Sequence, residues 1–260
     1  MDQPHEETTS LETLAGRVCS EDLLLRYERL VADVPDPEKF FAIPMFLLGS
    51  VARARGLHEG IAHAVATTNP HAAAPLLRQF TETLAAVVYV TLHPKYAGAF
   101  IHHPREQQVR GGPARKQPKQ LIDWMESSGN AQGVAHMYAE LSEATHYGST
   151  AWSFPFRSQD ETGAIDWSAE PRWKDEEAGR VLCRWTISAS DAMEAWLINL
   201  ADLWRRVERS GREGHSGFCA VHGPIPDKGV TTCPLPNSRL VDGQVEVFVC
   251  GLTLTAVPRP

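Results

Sequence analysis

One segment limits what this chain can fold into more than any other: the stretch between Asn69-Pro70 and His93-Pro94. Within it Leu76, Leu77, Phe80, Leu84, Val87 and Val88 recur every three to four residues. That period places side chains along one side of an α-helix. Prolines bound the segment, and its middle, LLRQFTETLAAVVYV, is apolar apart from a short polar group. The spacing predicts a buried helix, so the rest of the chain must supply elements to cover it.

The expected partners are mostly helical. Residues 1–10 are polar, acidic and without period, and are expected to be disordered. Leu11 to about Val34 reads as a helix with Ser10 as cap and the Asp/Pro residues at 33–37 as stop. Residues 38–68 give another, starting at Pro44 because proline interrupts a helix interior, with Gly56 and Gly60 weakening its second half. Residues 95–119 hold glycines, prolines and basic residues, and read as a loop. Two helices follow near 118–128 and 131–147, separated by the turn Ser127-Ser128-Gly129-Asn130.

From 151 to 187 tryptophans alternate with polar residues, as in AWSFPF and RVLCRWTIS, which predicts two or three short strands. Ser188 or Ser190 would then cap a helix to about Ser210, striped by Met193, Trp196, Leu197, Leu200, Leu203, Trp204 and Val207. The tail 211–260 is rich in Gly, Pro, Thr and Val and ends in an alternating strand pair broken at Gly251. The expected fold is therefore mainly α: a helical bundle over 11–210, a small inserted β element at 151–187, and a β/coil C-terminal tail.

Composition narrows the class. The formal net charge of −7 argues against a protein that coats nucleic acid over its whole surface. Five cysteines, an odd number spread thinly, do not form a disulfide framework and fit a reducing, cytoplasmic setting. The acidic start MDQPHEETTS is no signal peptide. The most apolar windows, Phe40–Ala52 and Leu84–Leu92, fall short of the roughly 20 residues that span a bilayer, so no membrane partner is expected. The abundance of arginine over lysine reads as the composition of a GC-rich genome.

The chemistry concentrates in four residues. Arg78 and Glu82 are one helical turn apart, and so are Ser142 and His146, with Tyr138 one turn earlier. If the two helices pack together, a base, an acid, a hydroxyl and an imidazole meet. A charge near a core needs a partner, since burying it alone costs several kcal/mol. Two readings stay open here. Arg78–Glu82, satisfied by Ser142 and His146, can fix helix register. Alternatively, a histidine beside a carboxylate can act as a general base near neutral pH.

The pattern R-x3-E, then Y-x2-L-S-x3-H, resembles a family of uncharacterised bacterial helical proteins. Here it runs Arg78-Gln-Phe-Thr-Glu82 and Tyr138-Ala-Glu-Leu141-Ser142-Glu-Ala-Thr-His146, within residues 70–150. The resemblance implies a helical fold, similar in shape to bundles of bacterial defence and toxin systems. It implies no particular reaction.

Other signals are short. Arg53-Ala-Arg-Gly-Leu-His58 has the arginine-to-histidine spacing of the helical toxin ribonucleases called HEPN, but such a match arises by chance in a chain with 11 histidines, and a surface Arg and His on an amphipathic helix explains it as well. His102-His103, near His93 and Tyr96, lack carboxylates at ligand spacing. The basic cluster Arg105, Arg110, Arg115, Lys116 and Lys119 could touch nucleic-acid phosphate, or simply be a solvated loop. Cys219 and His222 suit half of a zinc knuckle, but Cys233 and Cys250 lie too far apart to complete it. No phosphate loop, G-x-S-x-G elbow or dinucleotide fingerprint is present, and no cofactor is expected.

The sequence thus points to a helical interaction or ligand-sensing protein with an unidentified protein or small-molecule partner, in a defence-type or mobile-element setting by analogy. The alternative is a metal-independent nuclease or hydrolase using His146 and Glu82, with Arg78 and Ser142 in the same site.

Overall fold

The computed structural model describes residues 9–20, 26–27, 30, 42–101, 114–146, 148, 151, 153–159 and 164–212, with the backbone of five short tail strands. Its helices are α1 (Leu11–Val18), α2 (Ala42–Ala66), α3 (Pro70–Leu92), α4 (Ala97–Ile101), α5 (Pro118–Ser127), α6 (Val134–Thr145) and α7 (Glu176–Arg212). A hairpin of β1 (Phe156–Gln159) and β2 (Ala164–Trp167) precedes α7. The fold is a helical bundle, as the periodicity predicts.

The proline-bounded segment is its centre. α3 packs against α2, α7, α6 and α5. Thirteen of its 23 residues are buried, too many for one face, so the helix is covered on several sides. Leu77, Val87, Val88 and Val90 are fully buried, and they meet Ile61 of α2 and Leu197 and Leu200 of α7 in one core. Its start is held by Asn69, whose side chain accepts from the Ala72 amide at 3.2 Å. Thr81 and Thr83 are buried without polar cost, because each hydroxyl donates to the carbonyl one turn back, of Leu77 and Gln79.

Several expectations hold in detail. Ser10 caps α1, accepting from the Thr13 amide at 3.2 Å. Pro44 sits in the first turn of α2, which runs unbroken through Gly56 and Gly60. The Ser127–Asn130 turn separates α5 from α6 and uses Gly129 at φ 74°. The backbone of the tail strands pairs antiparallel, β6 (Gln244–Val249) with β7 (Leu252–Ala256) and with β5 (Ser238–Val241), and β3 (Phe218–Cys219) with β4 (Gly223–Pro224), while Gly251, where the sequence predicts the break, lies outside the described residues.

Others need correction. The inserted β element does not reach residue 187. Glu176–Ile187 is the start of α7, so RVLCRWTIS is helical. Leu182, Thr186, Ala189, Met193, Leu197, Leu200 and Trp204 are buried at helical spacing, and that face outweighs the β propensity of Val, Trp, Thr and Ile. The cap is Asp175, whose carboxylate accepts from the Ala178 amide at 2.7 Å, rather than Ser188 or Ser190. The loop predicted over 95–119 contains a 3₁₀ turn at Pro94–Tyr96 and α4. The first helix stops at Val18, and Arg26, Tyr27 and Leu30 are helical again after it. Residues 1–8 lie outside the described residues.

Candidate functional site

α6 carries the second half of the four-residue pattern, and its ends determine where those side chains go. At its start Gly133 takes φ 78°, and the Glu126 carboxylate accepts from the amides of Gly133 and Ala135, both at 3.0 Å. These bonds hold the Glu126 carboxyl below its usual range. At its end His146 leaves the helical region, with φ −111° and ψ 58°. Its amide still donates to the Ser142 carbonyl at 3.0 Å.

Arg78 is the hub. Its Nη2 donates to the Tyr138 hydroxyl at 3.0 Å and lies 3.3 Å from Glu82 Oε1. The Tyr138 hydroxyl donates to the same Oε1 at 2.9 Å, closing a three-membered ring of contacts across the α3–α6 seam. The guanidinium carbon also stands 5.2 Å from the centroid of the Tyr138 ring. Nη1 reaches His146 Nε2 at 2.5 Å. A guanidinium has donors only, so Nε2 is the acceptor and the ring proton belongs on Nδ1. Arg78 Nε is buried and has no hydrogen-bond partner among the described residues.

The cluster is graded in depth. Tyr138 is buried, Arg78 and Glu82 keep 20% and 22% of their side-chain surface, and His146 is exposed. Burial raises the Tyr138 phenol above its ordinary range; the bond from Arg78 opposes this, and the one to Glu82 adds to it. The structure therefore brings Arg78, Glu82, Tyr138 and His146 together. It does not bring Ser142: its hydroxyl turns back along its own helix and donates to the Tyr138 carbonyl at 2.7 Å. A Ser–His nucleophile pair is not formed.

The arginine–histidine spacing of α2 separates in space. Five helical positions turn the two side chains about 140° apart. Arg53 donates to Thr83 Oγ1 and Gln79 Oε1, at 3.1 and 3.3 Å. His58 is fully buried rather than on the surface, its Nε2 3.2 Å from the Val18 carbonyl, with edge-on contacts to Tyr27 and Phe80. Burial pushes its pKa below 6.5, partly offset by the Val18 bond.

The described part of the basic loop is committed to aromatic rings that sequence reasoning missed. Arg115 lies over Phe100 and Lys116 over Tyr89, at 5.3 and 5.6 Å. Tyr89 also meets His93, Tyr96 and Trp124 edge-on. Tyr96 donates to the Ala114 carbonyl at 2.7 Å and accepts from the Lys116 amide. Lys119 pairs with Asp123 at 2.6 Å. These rings lie far apart in sequence from the cations they meet, which is why a linear scan separates them. His102, His103, Arg105 and Arg110 lie outside the described residues.

Among the described residues, no group of three or more His, Cys, Asp or Glu is placed to hold a metal ion. His222, Cys233 and Cys250 of the candidate knuckle lie outside them. Cys19 and Cys183 are free thiols, both raised by burial, Cys183 to about 11. No described helix is long and apolar enough to cross a membrane. No family model, curated protein or solved structure matches this chain.

Proposed function

We propose that this chain is a non-catalytic helical binding protein that senses a ligand or partner at the α3–α6 seam through His146. The supporting observation is the gradient within the cluster: an exposed imidazole is tied to a largely enclosed Arg78–Glu82–Tyr138 network. A ligand that draws His146 away removes one of the contacts that join the two helices, so binding at the surface is coupled to packing beneath it. The resemblance to bacterial helical proteins and the thinly spread cysteines support a cytoplasmic, defence-type setting.

Two contacts weigh against hydrolysis. His146 Nε2 is spent on a permanent cation, and Ser142 Oγ is spent on a backbone carbonyl. The exposure of His146 favours the nuclease or hydrolase alternative. The test is a pull-down with wild type and His146→Ala as paired baits, alongside incubation of each with labelled single-stranded RNA. The expected result is a partner retained by wild type and lost by the variant, with intact RNA in both. RNA cleavage by wild type that disappears in His146→Ala would overturn the proposal.

A further inference from the structure

α1 is held more lightly than the central helix. It has eight residues and buries only Leu14 and Val18, whereas α3 buries thirteen of 23. A helix of that length is marginal in water by itself, so its structure depends on docking. It docks on α7 and α2. Two bonds tie its end to α2. The carbonyl of Val18, its last residue, lies 3.2 Å from His58 Nε2, and the Cys19 thiol donates to the Ala62 carbonyl at 3.4 Å.

The site of His58 fits only a neutral imidazole. A carbonyl can only accept, so Nε2 carries the proton and Nδ1 a bare lone pair. Nδ1 is buried and has no hydrogen-bond partner among the described residues. A proton there would create a charged N–H with nothing to accept it, on a residue with no exposed surface. Its neighbours give such a charge little relief. α3 presents the Phe80 ring, and the Tyr27 phenol, pushed up to about 12 by burial, stays neutral. Burial is the main force against a charged ring. The Val18 bond opposes it, Arg26 adds to it, and Glu59 opposes it least. Arg26 is itself paired with Asp191 at 2.6 Å and Glu194 at 3.0 Å, and Glu59 with Arg55 at 2.8 Å.

Docked and undocked α1 therefore bind protons differently. With α1 lifted, the ring meets water and takes up a proton near its ordinary pKa of 6.5; with α1 docked, it does so only at lower pH. Below 6.5 the undocked form holds the extra proton, so acid favours it, by up to about tenfold per pH unit. The core beneath does not depend on this helix to the same degree, because α3 is covered by α2, α5, α6 and α7. We propose that α1 is an acid-released flap with His58 as its latch: it lies on α2 and α7 at neutral pH and lifts from them in mild acid, while α3 and its partners stay folded.

The test is native-state amide exchange on the full chain at about pH 7 and about pH 5, corrected for the intrinsic rate and repeated in low urea. The reporters in α1 are the amides of Leu14 and Cys19, which donate to the Ser10 and Ala15 carbonyls at 3.1 and 2.9 Å. They are expected to exchange through an opening that low urea barely changes, more frequent than the global unfolding that releases α3. Its frequency should rise by up to about 25-fold between the two pH values, the ratio that a pKa of 6.5 gives for the undocked ring. His58→Gln can still donate to the Val18 carbonyl but does not titrate, and should abolish the rise. The wild-type His58 ring signal decides independently of the variant: it should stay neutral for as long as α1 is protected. No rise in acid, a rise that His58→Gln keeps, exchange of α1 and α3 at one rate with one urea slope, or a charged His58 ring beneath a protected α1 would each overturn the proposal.

Discussion

Removing Glu82 tests whether the α3–α6 seam is held by its polar ring. Glu82→Ala deletes the acceptor used by the Tyr138 hydroxyl at 2.9 Å and by Arg78 Nη2 at 3.3 Å. Breaking a fully buried pair costs about 3–5 kcal/mol, while an exposed pair is worth roughly 0.2–1 kcal/mol. With 20% and 22% of the two side chains exposed, water can partly replace the lost acceptor, and Arg78 keeps its contacts with Tyr138 and His146. The expected loss lies between those limits, about 2 kcal/mol. In urea unfolding, with a slope near the upper end of the ~1–3 kcal/mol/M range, the midpoint falls by about 0.7 M. A cycle with Tyr138→Phe should return a coupling of about 1 kcal/mol, because the two groups share one bond. A midpoint shift equivalent to less than about 0.5 kcal/mol, the size of an ordinary surface change, would refute the claim that this ring holds the seam.

The remaining predictions concern the frame around the seam. His58 has a folded pKa below 6.5, so as pH falls the unfolded chain takes up its proton first. Its contribution is complete above 6.5 and is lost as pH falls toward the folded value; thermal melts from about pH 7 to about pH 5 should show a stability loss that His58→Leu makes shallower. Leu77→Ala, at a fully buried site on the central helix, should cost about 2–5 kcal/mol by chemical denaturation. Asp175→Ala removes the cap of α7 and should cost about 1 kcal/mol, with faster amide exchange at Ala178. Glu126→Ala should speed exchange at the Gly133 and Ala135 amides without unfolding the bundle.

How much of this architecture the residues reveal depends on the range of the signal. α3 is legible because its period, its flanking prolines and its cap lie within one short segment. The start of α7 is not, because Val181, Trp185, Thr186 and Ile187 favour a strand locally. What overrides them is a buried face, including Leu182, Ala189 and Met193, that packs against α1, α2 and α3. The charged run WKDEEAG looks like a turn, yet Asp175 caps the helix and Glu176 and Glu177 occupy its first turn, where negative charge favours the helix N-terminus. The same residues that mark the end of one element begin the next.

The seam shows the same division within a single motif. Spacing alone places Arg78 beside Glu82, and Ser142 on the same face as His146. Spacing cannot say which way a side chain turns once it has a closer partner. Ser142 can bond either across the seam or back to its own helix, and the Tyr138 carbonyl one turn away is available at no cost in ordering. His146 has left the helix, so it is free to cross to Arg78. Tyr138, chosen in the sequence only as a neighbour in register, becomes the bridge because its hydroxyl can accept from Arg78 while donating to Glu82. A donor-only guanidinium and an acceptor-only carboxylate already attract each other. The phenol binds both to the facing helix, and it is this double role that turns an intrahelical ion pair into a contact between helices.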